Sequence, residues 1–257
     1  MTEIKEHKVA DATQIGSPVI QIRNLNKSFG DNHVLKNFNL NLFKGESIVV
    51  LGKSGSGKSV LIKCIIGLLK PDSGTINVFG KSITDLDHDN LDRIRAKVGF
   101  LFQSNALYDS MTIRENLEFP LRRHWIEISR SEVDDLVSEA LSNVDLSGTV
   151  DMMPAELSGG MRKRIALART LILKPEIILY DEPTTGLDPI TGQEISNLML
   201  EIQEKYNTSS IIISHDMKCV RTVANKIAML IDGTCYTYET FEVLKESNDP
   251  KIKQFFE

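Results

Sequence analysis

Apolar positions in this chain follow two rhythms. Short, nearly unbroken runs occur at Glu46 to Leu51, Thr75 to Phe79, Val98 to Phe102, Ile177 to Tyr180, Ser209 to Ile213 and Lys226 to Ile231. Runs of this length predict strands, and the unbroken ones predict strands covered on both faces. Between them, apolar residues recur every three or four positions. Leu61, Ile62, Ile65, Ile66 and Leu69 do so within Ser59 to Lys70, and Met161, Ile165, Ala168 and Ile172 after Ser158. Asp188-Pro189 is a cap and first-turn pair that starts a further helix reaching about Tyr206. Strands alternating with helices predict an α/β fold with a mostly parallel central sheet, Lys226 to Ile231 being its last core strand.

The two ends read differently. Val19 to Phe29 alternates as an edge strand does, Gly30-Asp31-Asn32 turns, and Leu35 to Phe43 returns, which predicts an N-terminal antiparallel part. Tyr238 to Lys245 and Lys251 to Phe256 read as closing helices, and a short charged helix is expected near Asp89 to Ala96. Between Asp109 and Met153 the character becomes helical. Thr112 to Glu115 and Ser129 to Glu132 are capping boxes, and Leu136, Val137, Ala140, Leu141 and Val144 follow the second at helical spacing. We expect a flexible tail over 1–17 and one domain over 18–257, with a helical subdomain inserted at about 104–157. Trp125 and the cluster Arg122-Arg123-His124 should lie between the inserted helices as a solvated surface.

Composition adds little beyond exclusions. The 257 residues carry a net charge of −5, so no global field draws nucleic acid. No apolar run approaches the ~20 residues that span a bilayer, and Met1 to Ser17 does not read as a signal peptide. Cys64, Cys219 and Cys235 are scattered without metal spacing and read as reduced thiols, Cys64 and Cys219 buried on helices.

Candidate chemistry begins at Gly52-Lys53-Ser54-Gly55-Ser56-Gly57-Lys58-Ser59, which fits G-x-x-x-x-G-K-[ST] between a strand and a helix. Glycines let the backbone wrap a phosphate, and the amides and positive end of the following helix point at it. Lys58 is expected on the β- and γ-phosphates of a nucleotide, Ser59 on Mg²⁺, and the binding stretch should run on to Val60. The apolar run Ile177 to Tyr180 leads into Asp181-Glu182. Two acids at the carboxyl end of a buried strand are expensive unless they serve a cation or a reaction. Asp181 is therefore a Mg²⁺ ligand candidate and Glu182 a general base for water.

Four weaker signals surround these. Gln103, at the end of an apolar strand, could ligate Mg²⁺ or hold a water. His215 ends another strand at the same sheet edge and could contact the γ-phosphate. Ser158 caps a glycine-rich helix start that could face an anion. Phe29 could stack on adenine or could equally be a core phenylalanine.

Taken in order, these residues resemble the nucleotide-binding subunits of ATP-binding-cassette (ABC) transporters, from about Val19 to the C-terminus. Leu157-Ser158-Gly159-Gly160-Met161 is similar to that family's signature. The resemblance implies an ABC ATPase, a P-loop NTPase with the architecture above, that binds ATP and Mg²⁺ and hydrolyses ATP at a head-to-tail homodimer interface. It places Leu157 to Met161 and Asp188 against nucleotide held by the other copy, Phe29 on adenine, Gln103 at the hinge of the insertion, and His215 as the switch histidine. A closer likeness is to the ATPases of Mla/Mce-type lipid transporters, carried by Leu101-Phe-Gln-Ser104, Ala106-Leu107-Tyr108, Asn116, Pro120-Leu121-Arg122, Met153-Pro154, Glu156 to Arg164 and Asp249 to Phe255. It implies phospholipid cargo moved between inner and outer membranes. The implied partners are integral-membrane permease subunits, a periplasmic Mce-domain component and a small regulatory subunit. The implied place is the cytoplasmic face of the inner membrane. The alternatives are an importer ATPase for amino acids or metals, or a non-transport ABC ATPase.

Overall fold

The structure is a computed structural model that describes residues 16–123 and 128–256. Its centre is a six-stranded sheet in the order β10-β9-β3-β8-β7-β6. The strands are β3 (Ser47–Leu51), β6 (Val98–Leu101), β7 (Ile177–Asp181), β8 (Ser209–Ile213), β9 (Lys226–Ile231) and β10 (Thr234–Glu239). All neighbours are parallel except β10, which pairs antiparallel with β9.

Alternation explains the unbroken apolar runs. In β3, Val49 and Leu51 face one core while Ile48 and Val50 face another; in β8, Ile212 opposes Ile211 and Ile213. Each such side chain taken out of water contributes about 1.5–3 kcal/mol, and a strand covered on both faces collects this at every position.

One core lies beneath α3 (Ile113–Arg123), α4 (Arg130–Ser142), α5 (Gly159–Leu171), α6 (Pro189–Tyr206) and α7 (Met217–Val223). The other lies between the central sheet, α1 (Lys58–Ile65) and a second sheet. That second sheet has the order β2-β1-β4-β5, from β1 (Ile20–Phe29), β2 (Asn32–Leu42), β4 (Ser73–Val78) and β5 (Lys81–Ser82).

Several expectations change. β1 is not an edge strand: it pairs antiparallel with β2 on one side and β4 on the other. Its alternation reflects one face on the core and one toward water, which an interior antiparallel strand shares with an edge one. Tyr238 belongs to strand β10, with its hydroxyl donating to Glu46 at 2.8 Å, and the helix α8 (Phe241–Lys245) starts only after Thr240 caps it. The core sheet therefore continues one strand past Ile231. The P-loop helix stops at Ile65, where Gly67 turns left-handed at φ +68°. α2 (His88–Ala96) and α9 (Pro250–Lys253) complete the chain. Arg122 and Arg123 end α3 rather than lying beyond it, and Arg123 pairs with Asp92 at 3.0 Å; His124 and Trp125 fall outside the described residues.

Candidate functional site

The carboxyl ends of β3, β7 and β8 meet at one rim, where parallel sheets present ligand-binding loops. Gly52 to Gly57 leaves β3 there. Gly55 and Gly57 take φ of +77° and +105°. A Cβ on Gly57 would stand 2.5 Å from Val34 Cγ1, and one on Gly52 2.7 Å from the Leu230 carbonyl. The glycines thus permit both the curl and its close seating on β2 and β9.

Lys58 is buried within the curl. Its Nζ donates to the carbonyls of Gly52 at 2.7 Å and Lys53 at 3.0 Å. Burial holds its pKa below the usual lysine value, against the pull of the Glu182 and Asp181 carboxylates. Ser56 Oγ is buried with no hydrogen-bond partner among the described residues. An unpaired hydroxyl, a lysine and the N-terminus of α1, whose first turn carries no acid, suit a bound phosphate.

Across the rim, Asp181 Oδ1 accepts from Ser59 Oγ at 3.1 Å, 122 positions away in sequence. Burial raises the Asp181 pKa, opposed by the Ser59 bond and reinforced by the Glu182 charge. Two hard oxygens on adjacent elements, one of them a carboxylate disfavoured by burial, fit a divalent cation such as Mg²⁺.

Glu182 is the first residue beyond β7 and has φ +51°. A left-handed non-glycine residue costs about 1–2 kcal/mol, and here it turns the carboxylate away from the strand's alternation. Glu182 Oε2 accepts from Thr185 Oγ1 at 3.2 Å and stands 2.8 Å from His215 Nδ1. Most of the His215 side chain, 67%, is exposed. Thr184 Oγ1 donates to Asp216 Oδ2 at 3.1 Å, tying the loop after β7 to the loop after β8. The contact between His215 and Glu182 is one that the order of residues does not predict.

Lys58, Ser59, Asp181, Glu182 and His215 therefore converge. The loop 52–57 joins them through the Gly52 and Lys53 carbonyls that Lys58 binds, while Phe29, Gln103, Leu157 to Met161 and Asp188 make no hydrogen bond to these five side chains among the described residues. Phe29 ends β1 and is 50% exposed, with Lys27 Nζ 5.3 Å from its ring centre, so it is not a core residue. Lys53, Ser54 and Gly55 form the exposed crest of the loop, and Val60 lies half-buried in the first turn of α1.

Gln103 sits in an exposed turn after β6, and its backbone carbonyl accepts from Lys163 Nζ at 3.1 Å. Its side chain makes no hydrogen bond to Ser59 or Asp181 among the described residues.

Ser158 caps α5 by accepting from the Met161 amide at 3.2 Å, and Ser158 and Gly159 are exposed with Gly160 half-buried. Leu157 is different. At 4% exposure it packs in the helical core, so its side chain is unavailable to a second copy, and Met161 packs partly against the same core. Asp188 caps α6, accepting from the Ile190 and Thr191 amides at 3.0 and 3.1 Å.

The cations of α5 do not all face water. Lys163 is 2% exposed, and Arg169 donates to the Asn105 and Ala106 carbonyls at 3.2 and 2.8 Å. The signal was present: Lys163 lies one turn from Ala166 and Leu167, which are also buried, so α5 is apolar on two sides.

Three comparisons bear on this arrangement. The ABC transporter family model matches residues 35–185. The probable ribonucleotide transport ATP-binding protein mkl of Mycobacterium leprae is 41% identical over 236 residues, covering 92% of this chain and 68% of that relative. The intermembrane phospholipid transport system ATP-binding protein MlaF of Haemophilus influenzae is 37% identical over 237 residues, covering 92% and 89%. The methionine import ATP-binding protein MetN 1 of Acinetobacter baylyi is 36% identical over 225 residues, covering 86% and 63%. The chain thus spans about two thirds of the length of several of these relatives. Among solved structures, a dimeric post-hydrolysis state of the ATP-binding cassette MJ0796 bound to ADP and Pi superposes with a TM-score of 0.78 at 35% identity, over 86% of this chain and 98% of that one.

Proposed function

The chain belongs to the ABC transporter family as an ATP-binding, ATP-hydrolysing subunit, and from that premise we propose that two copies clasp ATP between them and that its hydrolysis drives phospholipid transport through a membrane permease. The observation that carries the catalytic reading is the meeting of Lys58, Ser59, Asp181, Glu182 and His215 at one rim, with Glu182 and His215 2.8 Å apart.

Hydrolysis of a phosphoanhydride depends mostly on positioning and electrostatics. Loop 52–57 and the start of α1 cradle the phosphates, and Lys58 turns from its loop carbonyls to the terminal phosphate. Phe29, exposed and with Lys27 beside it, offers a face to adenine. Ser59 and Asp181 would hold Mg²⁺, which when bound supplies charge neutralisation on the β- and γ-phosphate oxygens. Gln103 is the third ligand candidate, and reaching that position requires its turn to move. Glu182 accepts a proton from the attacking water, and His215 keeps its carboxylate aimed through the Nδ1 contact. The Ser158 cap, with Gly159 and Gly160, closes on the nucleotide of the other copy, and Asp188 borders it. Loss of the bridging phosphate then loosens the pair. The insertion carrying α3 and α4 passes that motion to the permease.

Among the described residues no helix is long and apolar enough to cross a membrane. By its likeness to MlaF and to ABC transporter subunits, we assign this subunit a peripheral place on the cytoplasmic face of the inner membrane, bound to permease subunits. The phospholipid reading is supported by the likeness to MlaF, which covers 89% of that relative, and extends to a periplasmic Mce-domain component. The similarity to MetN 1 favours an amino-acid importer as the second reading. The test is to purify the chain with its membrane partner and identify what co-purifies by mass spectrometry. Bound phospholipid and a lipid-stimulated ATPase are expected. Stimulation by an amino acid with no lipid retained would overturn the cargo assignment.

A further inference from the structure

The turn that carries Gln103 is held in an unfavourable shape. Asn105 and Ala106 both adopt left-handed backbone, at φ +64° and +53°. Asn105 Oδ1 is buried without a partner among the described residues. Such a turn persists only where its surroundings over-determine it.

Here the surroundings are two helices. From α5, Lys163 Nζ donates to the Gln103 carbonyl, and Arg169 donates to those of Asn105 and Ala106. From α3, Asn116 accepts from the Tyr108 amide at 2.8 Å and donates to the Tyr108 carbonyl at 3.1 Å. Lys163 is an expensive way to hold a carbonyl. A buried ammonium needs pairing, yet among the described residues its one hydrogen bond goes to Gln103, while the Asp181 carboxylate supplies the opposite charge that acts on it. It therefore ties the backbone of Gln103, one of the three proposed cation ligands, to the helix that Ser158 caps.

We propose that Lys163 and Arg169 are positioning residues that clamp the 103–106 turn to α5, so that Gln103 and the Ser158 end of that helix move as one body. The inference rests on the nucleotide-site reading above.

The test uses the full chain with Lys163→Met, Arg169→Met and Arg169→Lys. Lys163→Met keeps length and removes only the ammonium, leaving the Gln103 carbonyl without its donor. Hydrogen exchange is measured first, without nucleotide. The Asn105 amide, which donates to Phe102 at 3.1 Å, reports directly on the turn. Exchange across 104–108 should rise about tenfold or more in Lys163→Met and Arg169→Met with the rest of the chain unchanged, and Arg169→Lys should fall between. The Mg²⁺ concentration for half-maximal hydrolysis should rise about 10- to 100-fold, the range for lost outer-shell support, while nucleotide binding in EDTA stays at the wild-type level. Should Lys163→Met not fold, the two Arg169 variants give the same readings. Wild-type exchange and Mg²⁺ requirement in folded variants would overturn the clamp. A Glu182→Gln control that still hydrolyses ATP would instead overturn the site reading beneath it.

Discussion

Gly55 and Gly57 make a matched pair for testing the cradle. Both have left-handed backbone, but a Cβ on Gly55 meets nothing within 4 Å, while one on Gly57 meets Val34 Cγ1 at 2.5 Å and the Val34 carbonyl at 3.2 Å. Alanine at Gly55 should therefore cost only the backbone term, about 1–2 kcal/mol. Alanine at Gly57 adds overpacking against β2 of about 1–3 kcal/mol, for a total of about 2–5 kcal/mol. Trimming Val34 to alanine in the Gly57→Ala background should return most of the contact part, because the nearest atom of the clash is then gone. The assay is urea unfolding of the nucleotide-free chain for the two single glycine variants, Val34→Ala, and the two doubles that combine Val34→Ala with each of them. A coupling of about 1–3 kcal/mol between positions 34 and 57 is expected, and none between 34 and 55. Equal losses at Gly55 and Gly57, or additivity of Val34→Ala with Gly57→Ala, would show that the loop is not seated on β2 in the way described.

The remaining expectations concern single groups. Glu182→Gln should lower hydrolysis by about 10²–10⁴-fold while leaving an ATP-dependent dimer visible by size-exclusion chromatography; a monomer with normal turnover would count against the general-base assignment. Phe29→Ala should weaken ATP binding by about 1–3 kcal/mol, the measured scale for an aromatic under a base. Because the ring is exposed, thermal stability should move by no more than ~0.5 kcal/mol, and isothermal calorimetry with a melting curve separates the two. Ser158→Ala removes the cap of α5 and should cost about 1 kcal/mol in urea unfolding, together with loss of ATP-driven dimerisation. Asn116→Leu leaves the Tyr108 amide and carbonyl without their buried partner. It should destabilise by about 1–3 kcal/mol for each group left unsatisfied, read by chemical unfolding.

Much of this protein was determined by local chemistry. Ile177 to Tyr180 and Ser209 to Ile213 are short, rich in β-branched isoleucine and bounded by polar residues, which favours strands covered on both faces over a buried helix. The capping boxes at Thr112 and Ser129, the Asp188-Pro189 start of α6, and the P-loop between a strand and a helix are set within four to eight residues, so they were legible without tertiary contacts. What the tertiary structure decided was which distant groups share a space. Nothing in the order of residues puts Glu182 Oε2 within 2.8 Å of His215, sends Arg169 to the Asn105 and Ala106 carbonyls, or gives β1 a neighbour on each side. Leu157 belongs to the same lesson. Its motif pointed outward to a second copy, but the core beneath α5 needed an apolar residue there and drew it in. Periodicity reports which face of an element leaves water; only the packing of elements against each other determines what that face meets.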